Sequence, residues 1–392
     1  MEPGTTGRSG KIAERVGARS GIPNLAEILA ALPASDLQSL LLYVFQAHTQ
    51  SLDVSKILHS SARPLLQPSK IDARLLNEFD HMALTEAHEF EAVELSPVAP
   101  LGLNHVLGSI DQNSVLTTIR NAEVLGDATM PLALECARRR RQASRLGAQA
   151  PVRLASSQRM IRLQPFDVPG YVPHFRLWSM VSAGRDTGSQ AFETEHLGEH
   201  LRFYLRLFRS LANRGFRLDS PLVEISDTRV VRELLAAHGV NTEELRQSIR
   251  AHRLEGSDKF LADRGIVLPT AVEDLAGVVT DAALDRVARL DANLLGALRS
   301  EFPEAQFRLN FTRLEGLNYY SGFTLRISPL APDGVRYPIV DGGFTDWTAR
   351  LLQNRKERLL TSGIGTEFAC FKYRVGQTPS SESDPLVALK IT

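Results

Sequence analysis

The 392-residue sequence has no excess of charge of either sign and no long apolar run. Its 45 basic residues balance its 45 acidic residues, so net charge gives no general attraction to nucleic acid or to an anionic membrane. No apolar run approaches the ~20 residues that a membrane span needs, and the first residues lack the apolar segment of a secretory signal. We therefore expect a cytoplasmic globular protein that makes no membrane contact.

Cysteine is also scarce, with Cys136 and Cys370 the two in the chain. Two cysteines are too few for a disulfide framework or a thiolate metal cage, and both lie among apolar neighbours. We interpret them as small core residues and assign no metal ligands. Walker A and dinucleotide-binding glycine patterns are absent too.

The two ends of the chain differ in composition from its middle. Residues 1–68 are predicted to form a small helical extension, with Ser35 and Gln38 at the spacing of a capping box. The first ~20 residues are rich in glycine and charge, which predicts disorder. Residues 378–392 are expected to form a flexible tail.

The middle of the chain, residues 69–377, is predicted to be an α+β core. A long amphipathic helix is expected from Phe192 to Asn213. The range 216–304 reads as an almost wholly helical insertion, with Asp227 as a helix N-cap. Because strand patterns occur on both sides of this insertion, they are expected to belong to one sheet.

A polar, aromatic-rich bend, RLEGLNYY, lies between two alternating runs. Apolar residues alternate with polar ones before and after it, which predicts half-buried strands. A third extended run, VRYPIV, follows, so an antiparallel meander is expected. We predict that sheet gives way to helix at Gly342 and Gly343.

Five short stretches between roughly residues 70 and 375 have a recognisable order: LGDAT, RMIRLQPF, LEGLNYYSGFTLRI, DGGFTDW and SGIGTEFACF. In this order they resemble the substrate-amine stretch, motif 2, the histidine motif, the second glycine motif and motif 3 of the histidyl-tRNA synthetase family. The resemblance implies a class II synthetase-like fold, in which an antiparallel sheet is flanked by helices.

The resemblance also implies a ligand site. Asp127 and Thr129 match the residues that hold the amino group of the substrate, and Arg162 matches the arginine that binds the α-phosphate of ATP. The other implied ligand-binding residues are Gln164 in the motif 2 stretch, Asn318, Tyr319 and Tyr320 in the bend, and Gly342 and Gly343 in the second glycine motif.

Several departures from the family bear on function. Glu315, Phe344 and Phe368 stand where the family has arginines, one of them catalytic. The residues that read the imidazole in the family fall near Leu177 and Val181. Removing one preorganised donor from a site that stabilises developing negative charge costs on the order of 3 kcal/mol, so ordinary histidyl-tRNA synthesis is not expected. A carboxylate at position 315 adds repulsion toward phosphate.

Three other patterns allow more than one interpretation. HLGEH, residues 196–200, fits an H-x-x-E-H zinc pattern, but we interpret it as a solvated helix face because Gly198 weakens the helix and no third ligand is evident. The arginine run in 137–145 could bind RNA phosphates, although the solvated end of a helix is the more common explanation. His174, Arg176 and Arg185 either supply replacement charge to the site or pair with carboxylates such as Asp186.

These observations favour a catalytically altered paralogue that binds a small amine-bearing ligand or a partner, similar to the regulatory subunit of ATP phosphoribosyltransferase. The alternative is an enzyme that activates a different amino or carboxylic acid as an adenylate, for which ATP and Mg²⁺ are the candidate cofactors. We expect a homodimer that pairs through the helix around residues 75–79 and the stretch FEAVELSP. A partner enzyme is compatible with the regulatory hypothesis, and tRNA is not expected to bind.

Overall fold

The computed structural model describes residues 8–61, 63–147, 150–163, 172–241, 245, 256–317 and 319–376. The tail at 378–392 and the first seven residues lie outside this range, as do Gln164 and Asn318. Residues 8–20, where disorder was expected, form a helix.

A mixed sheet is the centre of the fold. Within the described residues the strands are β1 (Glu91–Ala92), β2 (Val98–Pro100), β3 (Ala122–Val124), β4 (Val152–Ile161), β5 (His174–Arg185), β6 (Asp219–Asp227), β7 (Gln306–Leu309), β8 (Phe323–Leu330), β9 (Val340–Thr345) and β10 (Glu357–Gly365). Eight of them pair in the order β1-β4-β5-β10-β9-β8-β6-β7, and β2 pairs separately with β3. The pairs β1–β4 and β6–β7 are parallel, and the other neighbours are antiparallel.

Helices precede, interrupt and cover the sheet. The described α-helices are α1 (Arg8–Ser20), α2 (Leu25–Ala30), α3 (Ala34–Gln50), α4 (Val54–Ser61), α5 (Ala73–Glu86), α6 (Leu103–Gly108), α7 (Thr129–Arg145), α8 (Ala191–Ala212), α9 (Thr228–Ala237), α10 (Gly256–Ala262), α11 (Asp281–Leu290), α12 (Gly296–Glu301), α13 (Trp347–Leu352) and α14 (Thr366–Tyr373). A π-helical turn, Asp291–Leu295, joins α11 to α12. Short 3-10 turns occur at Pro64–Leu66, Gln112–Ser114 and Glu273–Leu275.

The two faces of the sheet differ in character. One face is apolar and packs against α5, α8 and α14, with Phe79 and Trp178 among its buried residues. The other face packs against α7 and α13 over β4, β5 and β10, where Leu132 and Trp347 are buried. Alternate residues of a strand point to opposite faces, so each strand contributes to both layers. We call the side that carries Trp347 the second face.

Of the predicted meander, the antiparallel pairing of the second strand with the third is confirmed as β8 with β9, but the pairing of the first strand, β7, with β8 is wrong. The strand β6 lies between β7 and β8 and pairs with both. This strand falls within the range that was predicted to be almost wholly helical. Its inward residues Val223 and Ile225 alternate with Glu224, which is a strand pattern that the surrounding helical stripes obscured.

The predicted sheet-to-helix transition at Gly342 and Gly343 is also wrong, because both glycines lie inside β9 and the helix begins at Trp347. The expected third strand, VRYPIV, contributes only its last residue, Val340. Pro338 lacks the N–H that a ladder hydrogen bond needs, which explains the later start of β9.

Local predictions had mixed outcomes. The Asp227 carboxylate accepts a hydrogen bond from the backbone N–H of Arg229 at 2.9 Å, which confirms the N-cap of α9. The long amphipathic helix is confirmed as α8. The capping box at Ser35 is wrong, because α3 begins one residue earlier behind Pro33, and the Ser35 hydroxyl contacts Asp36 instead.

Both cysteines are buried, as expected for core residues. Burial raises the pKa of the Cys136 thiol to about 12 and raises the pKa of Cys370 as well, so neither forms a thiolate near neutral pH. Within the described ranges, none of the helices combines the length and the apolar composition needed to cross a membrane.

Candidate functional site

Residues of the bend between β7 and β8 pack in two different hydrophobic cores. Phe311, Leu314 and Leu317 pack among the apolar residues of α9 and α11. Tyr319 instead packs on the second face of the sheet, beside α7 and α13. The bend therefore connects the inserted helices to the sheet.

Arg232 of α9 fixes the far end of this bend. Its guanidinium donates to the backbone carbonyl of Leu317 and, at 3.0 Å, to that of Tyr320. Carbonyls in a bend have no partner in a strand ladder, and Arg232 supplies the donor that these two carbonyls need.

Three aromatic rings form one wall of the site. The Tyr319 ring meets Tyr320 edge-on at 4.8 Å between centroids and meets Trp347 edge-on at 4.9 Å. A Cβ on Gly343 would lie 2.7 Å from Cδ1 of Tyr320, so a glycine is required beneath this ring. Burial raises the pKa of both tyrosines above the ordinary value of 10.0, and their hydroxyls stay protonated.

Asp127 lies at the end of this wall. Its Oδ1 accepts hydrogen bonds from the backbone N–H and the hydroxyl of Thr129, at 2.8 and 2.7 Å. The Tyr319 hydroxyl donates weakly to its Oδ2 at 3.4 Å. The structure thus brings together Asp127, Thr129 and Tyr319, which are distant in the sequence.

Arg162 also reaches this group. Its Nη2 is 3.7 Å from Oδ2 of Asp127, and its Nε donates to the carbonyl of Gly126 at 2.7 Å. The guanidinium lies over the ring of Phe175, with 5.2 Å between its central carbon and the ring centroid. Arg162 is therefore held beside the carboxylate instead of extending into open space.

A row of alternating charges crosses the second face next to Tyr320. Asp341, Arg326, Glu224 and Arg308 are directly opposite one another on β9, β8, β6 and β7. Residues paired in this way point to the same face, and Asp341 shares its face with Gly343.

Two residues of the bend contact this row. Nη2 of Arg313 bonds Oδ1 of Asp341 at 2.5 Å, and Oε2 of Glu315 lies 3.5 Å from Nη2 of Arg326. Sequence reasoning missed Arg313, Arg326 and Asp341 as site residues. The available signal was the alternation of Arg326 with Leu325 and Ile327, which places it on a polar face.

Among the residues that the structure describes, the charges of this site are balanced. Asp127, Glu315 and Asp341 are each matched with one arginine: Arg162, Arg326 and Arg313 respectively. The matched pairs leave no excess of positive charge, whereas a site for phosphoryl chemistry needs preorganised cations or donors.

Buried hydroxyls on the same face add unused hydrogen-bonding capacity. Ser179, Ser226 and Thr324 are nearly inaccessible, and their hydroxyls make no hydrogen bond to another described residue. The strand registers place all three on the face that carries Asp341 and Gly343. Buried polar groups are normally satisfied, so these positions suit bound water or a polar ligand.

Other predicted site residues lie elsewhere. Arg176 points to the apolar face, where it pairs with Asp80 of α5, so it does not supply charge to the bend. Gly342 also faces that side, because it alternates with Gly343, and its missing Cβ makes room for Ser362. Gln164 and Asn318 fall outside the described residues.

The positions that depart from the family are largely apolar in their packing. Phe344 and Phe368 belong to the large core on the first face. Leu177 and Val181, near which the imidazole readers of the family fall, pack on the second face. None of these four side chains carries a polar group, although the backbone carbonyl of Phe344 accepts a hydrogen bond from the N–H of Ser321 at 2.8 Å.

The interpretation of HLGEH as a solvated helix face is wrong, since His196 and His200 are both fully buried against the sheet. Nδ1 of His196 is 2.6 Å from Glu199 Oε2. His200 contacts Ser182 and Ser362 through its two ring nitrogens, at 3.0 and 2.7 Å. The two histidines therefore have separate partners and do not form the zinc pair of the motif.

Glu195, His196 and Glu199 place potential ligand atoms within 4.8 Å of one another. Arg153 bonds both carboxylates, at 3.1 Å to Glu195 and 2.6 Å to Glu199. The guanidinium thus already supplies the positive charge that this cluster needs.

Buried His200 predicts a pH-dependent stability. Burial lowers its pKa from 6.5 to about 3, so its stabilising contribution is complete above pH 6.5 and is lost as the pH falls toward the folded value. Between pH 7 and pH 5 we expect this residue to cost about 2 kcal/mol of unfolding free energy. Urea titrations at both pH values should show this difference in the wild type and its loss in His200→Gln. A variant of an exposed histidine, His59→Gln, should retain it; an unchanged difference in His200→Gln would contradict the assignment.

The four consecutive arginines of α7, residues 138–141, all bond other residues of the same chain. Arg138 and Arg139 bond Glu135, and Arg139 also bonds Glu91. Arg140 is buried and bonds Glu357, and Arg141 donates to the carbonyl of Leu351 at 3.2 Å. The expected solvated helix end thus applies to Arg138 but not to Arg140, and the run does not present four unpaired cations to RNA.

No protein-family model and no curated protein sequence matches the chain. Solved structures do match. An ATP phosphoribosyltransferase regulatory subunit/histidyl-tRNA synthetase from Bacillus halodurans has a TM-score of 0.57 at 17% identity, covering 79% of this chain and 82% of that one. A histidyl-tRNA synthetase from Nostoc sp. PCC 7120 also has a TM-score of 0.57, at 14% identity, covering 78% of this chain and 73% of that one. A histidine–tRNA ligase subunit from Alicyclobacillus acidocaldarius has a TM-score of 0.55 at 16% identity, covering 79% of this chain and 95% of that one.

These similarities establish the fold. The chain has a class II aminoacyl-tRNA synthetase-like architecture, with a large mixed sheet flanked by helices, as the motifs implied. At this level of identity, the activity of the similar proteins does not transfer with the fold.

Proposed function

We propose that this protein is a histidyl-tRNA synthetase-like paralogue that binds a small amine-bearing ligand beside the bend and does not aminoacylate tRNA. The observation that carries the proposal is the charge arrangement of the bend. Asp127 keeps an acceptor at the aromatic wall, while Glu315 faces Arg326 where the family has its catalytic arginine.

An ammonium group suits the end of this wall. Oδ1 of Asp127 is already used by Thr129. Among the described residues, Oδ2 has a weak bond from Tyr319 and an arginine, Arg162, at 3.7 Å. A carboxylate next to aromatic rings favours a cation with an apolar or planar body. The unsatisfied hydroxyl of Thr324 lies opposite Gly343 and could bind a polar group on that body.

A regulatory role is the form of this function that we propose. The similar protein from Bacillus halodurans carries the name of a regulatory subunit, which supports a partner enzyme for this chain.

We further propose a homodimer. The predicted contact needs revision, however, because Leu75, Leu76 and Phe79 pack inside the core of the same chain. The exposed side of α5 is then the part of this helix that could meet a second copy.

Ligand binding can be tested by thermal shift with amino acids, their amino alcohols and the corresponding amines. A ligand at a hundred times its dissociation constant stabilises the fold by about 2.7 kcal/mol, which gives a measurable rise in Tm. We expect a hit in wild type that Asp127→Asn removes, because the substitution keeps the shape but deletes the charge. The exposed variant Asp36→Asn is the control. Absence of any amine hit, or a shift that survives Asp127→Asn, would overturn the site assignment.

Pyrophosphate exchange separates the proposal from the alternative enzyme. With ATP, Mg²⁺ and histidine, or each of the other amino acids, we expect exchange at background level because the cations of the bend are paired with carboxylates. Exchange that depends on one amino acid would support the alternative, an adenylate-forming enzyme. A working histidyl-tRNA synthetase assayed alongside provides the positive control.

A further inference from the structure

A cavity lies at the edge of the sheet that β7 forms, away from the aromatic wall. Its volume is about 310 Å³. It is bounded by β7 and the start of the bend on one side, and by residues 270–272, the π-helical turn and α12 on the other. Two strands, β6 and β8, separate β7 from the strand that carries Gly343, so the two sites are roughly 14 Å apart at the spacing of neighbouring strands.

The cavity combines an apolar floor with a polar rim. The apolar lining residues are Ala271, Val272, Leu309 and Phe311. The polar rim consists of Thr270, Asp291, Arg299, Arg308, Asn310 and Thr312. Small-molecule sites start at about 300 Å³, so the cavity has room for a small organic molecule, and its lining is more polar than is usual for such sites.

The two arginines of the rim have donors to spare. Arg308 directs both Nε and Nη2 to a single oxygen, Oε1 of Glu224, at 3.0 and 2.6 Å. Arg299 uses Nη2 to bond Oδ1 of Asp291 at 2.8 Å. A guanidinium carries five N–H donors, so each arginine retains several that bond no described residue.

Each arginine pairs with one acid, Arg308 with Glu224 and Arg299 with Asp291, so the cavity offers an anion unused N–H donors and no excess of positive charge. Glu224 is buried and also accepts from Asn310 at 2.7 Å, so it lies behind the rim. The lining itself then contains two guanidinium groups and one carboxylate. Arginine pairs well with planar or tetrahedral oxyanions because its donors match two oxygens at once.

The π-helical turn is an independent feature of the same cavity. Asp291, its first residue, lines the cavity and orients Arg299 through their ion pair. Such turns are rare in proteins and are frequently found at functional sites. The turn therefore shapes one wall around a charged group.

We propose that this cavity binds a small organic oxyanion, a carboxylate or phosphate on a short apolar body. The oxyanion meets Arg299 and Arg308, and the apolar body lies on Leu309 and Phe311. This site does not depend on the amine site proposed above, and the two can fail separately.

Fluorine NMR titration tests the proposal with three probes of similar size: 4-fluorobenzoate, 4-fluorophenyl phosphate and 4-fluorobenzyl alcohol. We expect one or both anions to bind at millimolar concentrations and the neutral alcohol to bind at least about tenfold more weakly, since it lacks charge-assisted bonds. The stronger of the two anions identifies the preferred oxyanion. No anion binding, or equal binding of the alcohol, would overturn the proposal.

Variants locate the binding. Arg299→Gln and Arg308→Gln should each weaken the anion about tenfold, and Ala271→Phe should block it while retaining both charges. Arg138→Gln removes an exposed arginine elsewhere and should bind as wild type. Asp127→Asn should do the same, which separates this cavity from the amine site. Circular dichroism of each variant verifies folding, and wild-type affinity in folded Ala271→Phe would place the probe elsewhere.

Discussion

Replacing Arg140 by methionine is expected to lower the free energy of unfolding by about 3–5 kcal/mol, since it removes one partner of a buried ion pair. The Arg140 side chain is 5% exposed and that of Glu357 is 7% exposed. Two parallel bonds join them, Nε to Oε2 at 3.0 Å and Nη2 to Oε1 at 2.9 Å. Without the guanidinium, Glu357 would remain in the interior as an uncompensated charge.

The same arginine run supplies the control. Arg138 bonds Glu135 with similar geometry, but its side chain is 64% exposed, so Arg138→Met should cost less than about 1 kcal/mol. Urea denaturation of the two variants measures the contrast directly. Equal losses would mean that burial does not determine the energy of these pairs. The double variant Arg140→Met, Glu357→Met should recover much of the loss, because neither charge is then left alone.

The elements that sequence reasoning predicted well have apolar residues at regular spacing or contacts between residues close together in the chain. The helix α8 is long, and its apolar residues recur at helical spacing throughout. The N-cap at Asp227 is likewise a contact between residues two apart in the chain. Such features depend on neighbouring residues, so the sequence contains the whole signal.

The elements that were missed depend on distant partners. Nothing local to β7 indicates that it pairs with β6 in parallel, because this pairing crosses the inserted helices. The burial of His200 depends in the same way on Ser182 and Ser362 of two different strands. The polar pattern of HLGEH predicts a solvated helix face, because the spacing of residues along α8 carries no information about hydroxyl partners on the strands.

In the candidate site, too, local motifs predict some of the residues, while contacts between distant residues could not be predicted. The motif stretches locate Asp127, Thr129 and Tyr319, and the structure brings these side chains together. The ion pairs that neutralise Glu315 and Asp341 require the register of β8 against β9 and the path of the bend. A charge that is prominent in the sequence can thus be cancelled by a residue many positions away.

The path of the bend in turn depends on the inserted helices. Three of its apolar residues belong to the core of α9 and α11, and Arg232 bonds two of its carbonyls. A change in the position of α9 would therefore move the tyrosine wall. This connection would give the proposed regulatory function a physical route from the helical insertion to the proposed ligand site, and it can be tested at one residue.

Arg232→Met is expected to lower the free energy of unfolding by about 2–4 kcal/mol, because the carbonyls of Leu317 and Tyr320 lose their charged donor. We also expect the Tyr319 ring to lose its fixed contact with Trp347, which alters the fluorescence of that tryptophan. The chain has two tryptophans, so a Trp178→Phe background leaves Trp347 as the single reporter. Emission at low urea, where the variant is still folded, measures the position of the wall separately from stability.

The neighbouring variant Arg229→Met is the matched control in the same background. Arg229 lies on the same helix, but its side chain is 40% exposed and bonds the carboxylate of Asp227, not a carbonyl of the bend. Its loss should leave the emission of Trp347 near the parent value. Arg232→Lys should restore part of the effect, since an ammonium can reach one carbonyl but does not span two as the guanidinium does. A large loss of stability in Arg232→Met with unchanged Trp347 emission would show that the arginine stabilises the fold without positioning the wall, and the route from the insertion to the ligand site would then be excluded.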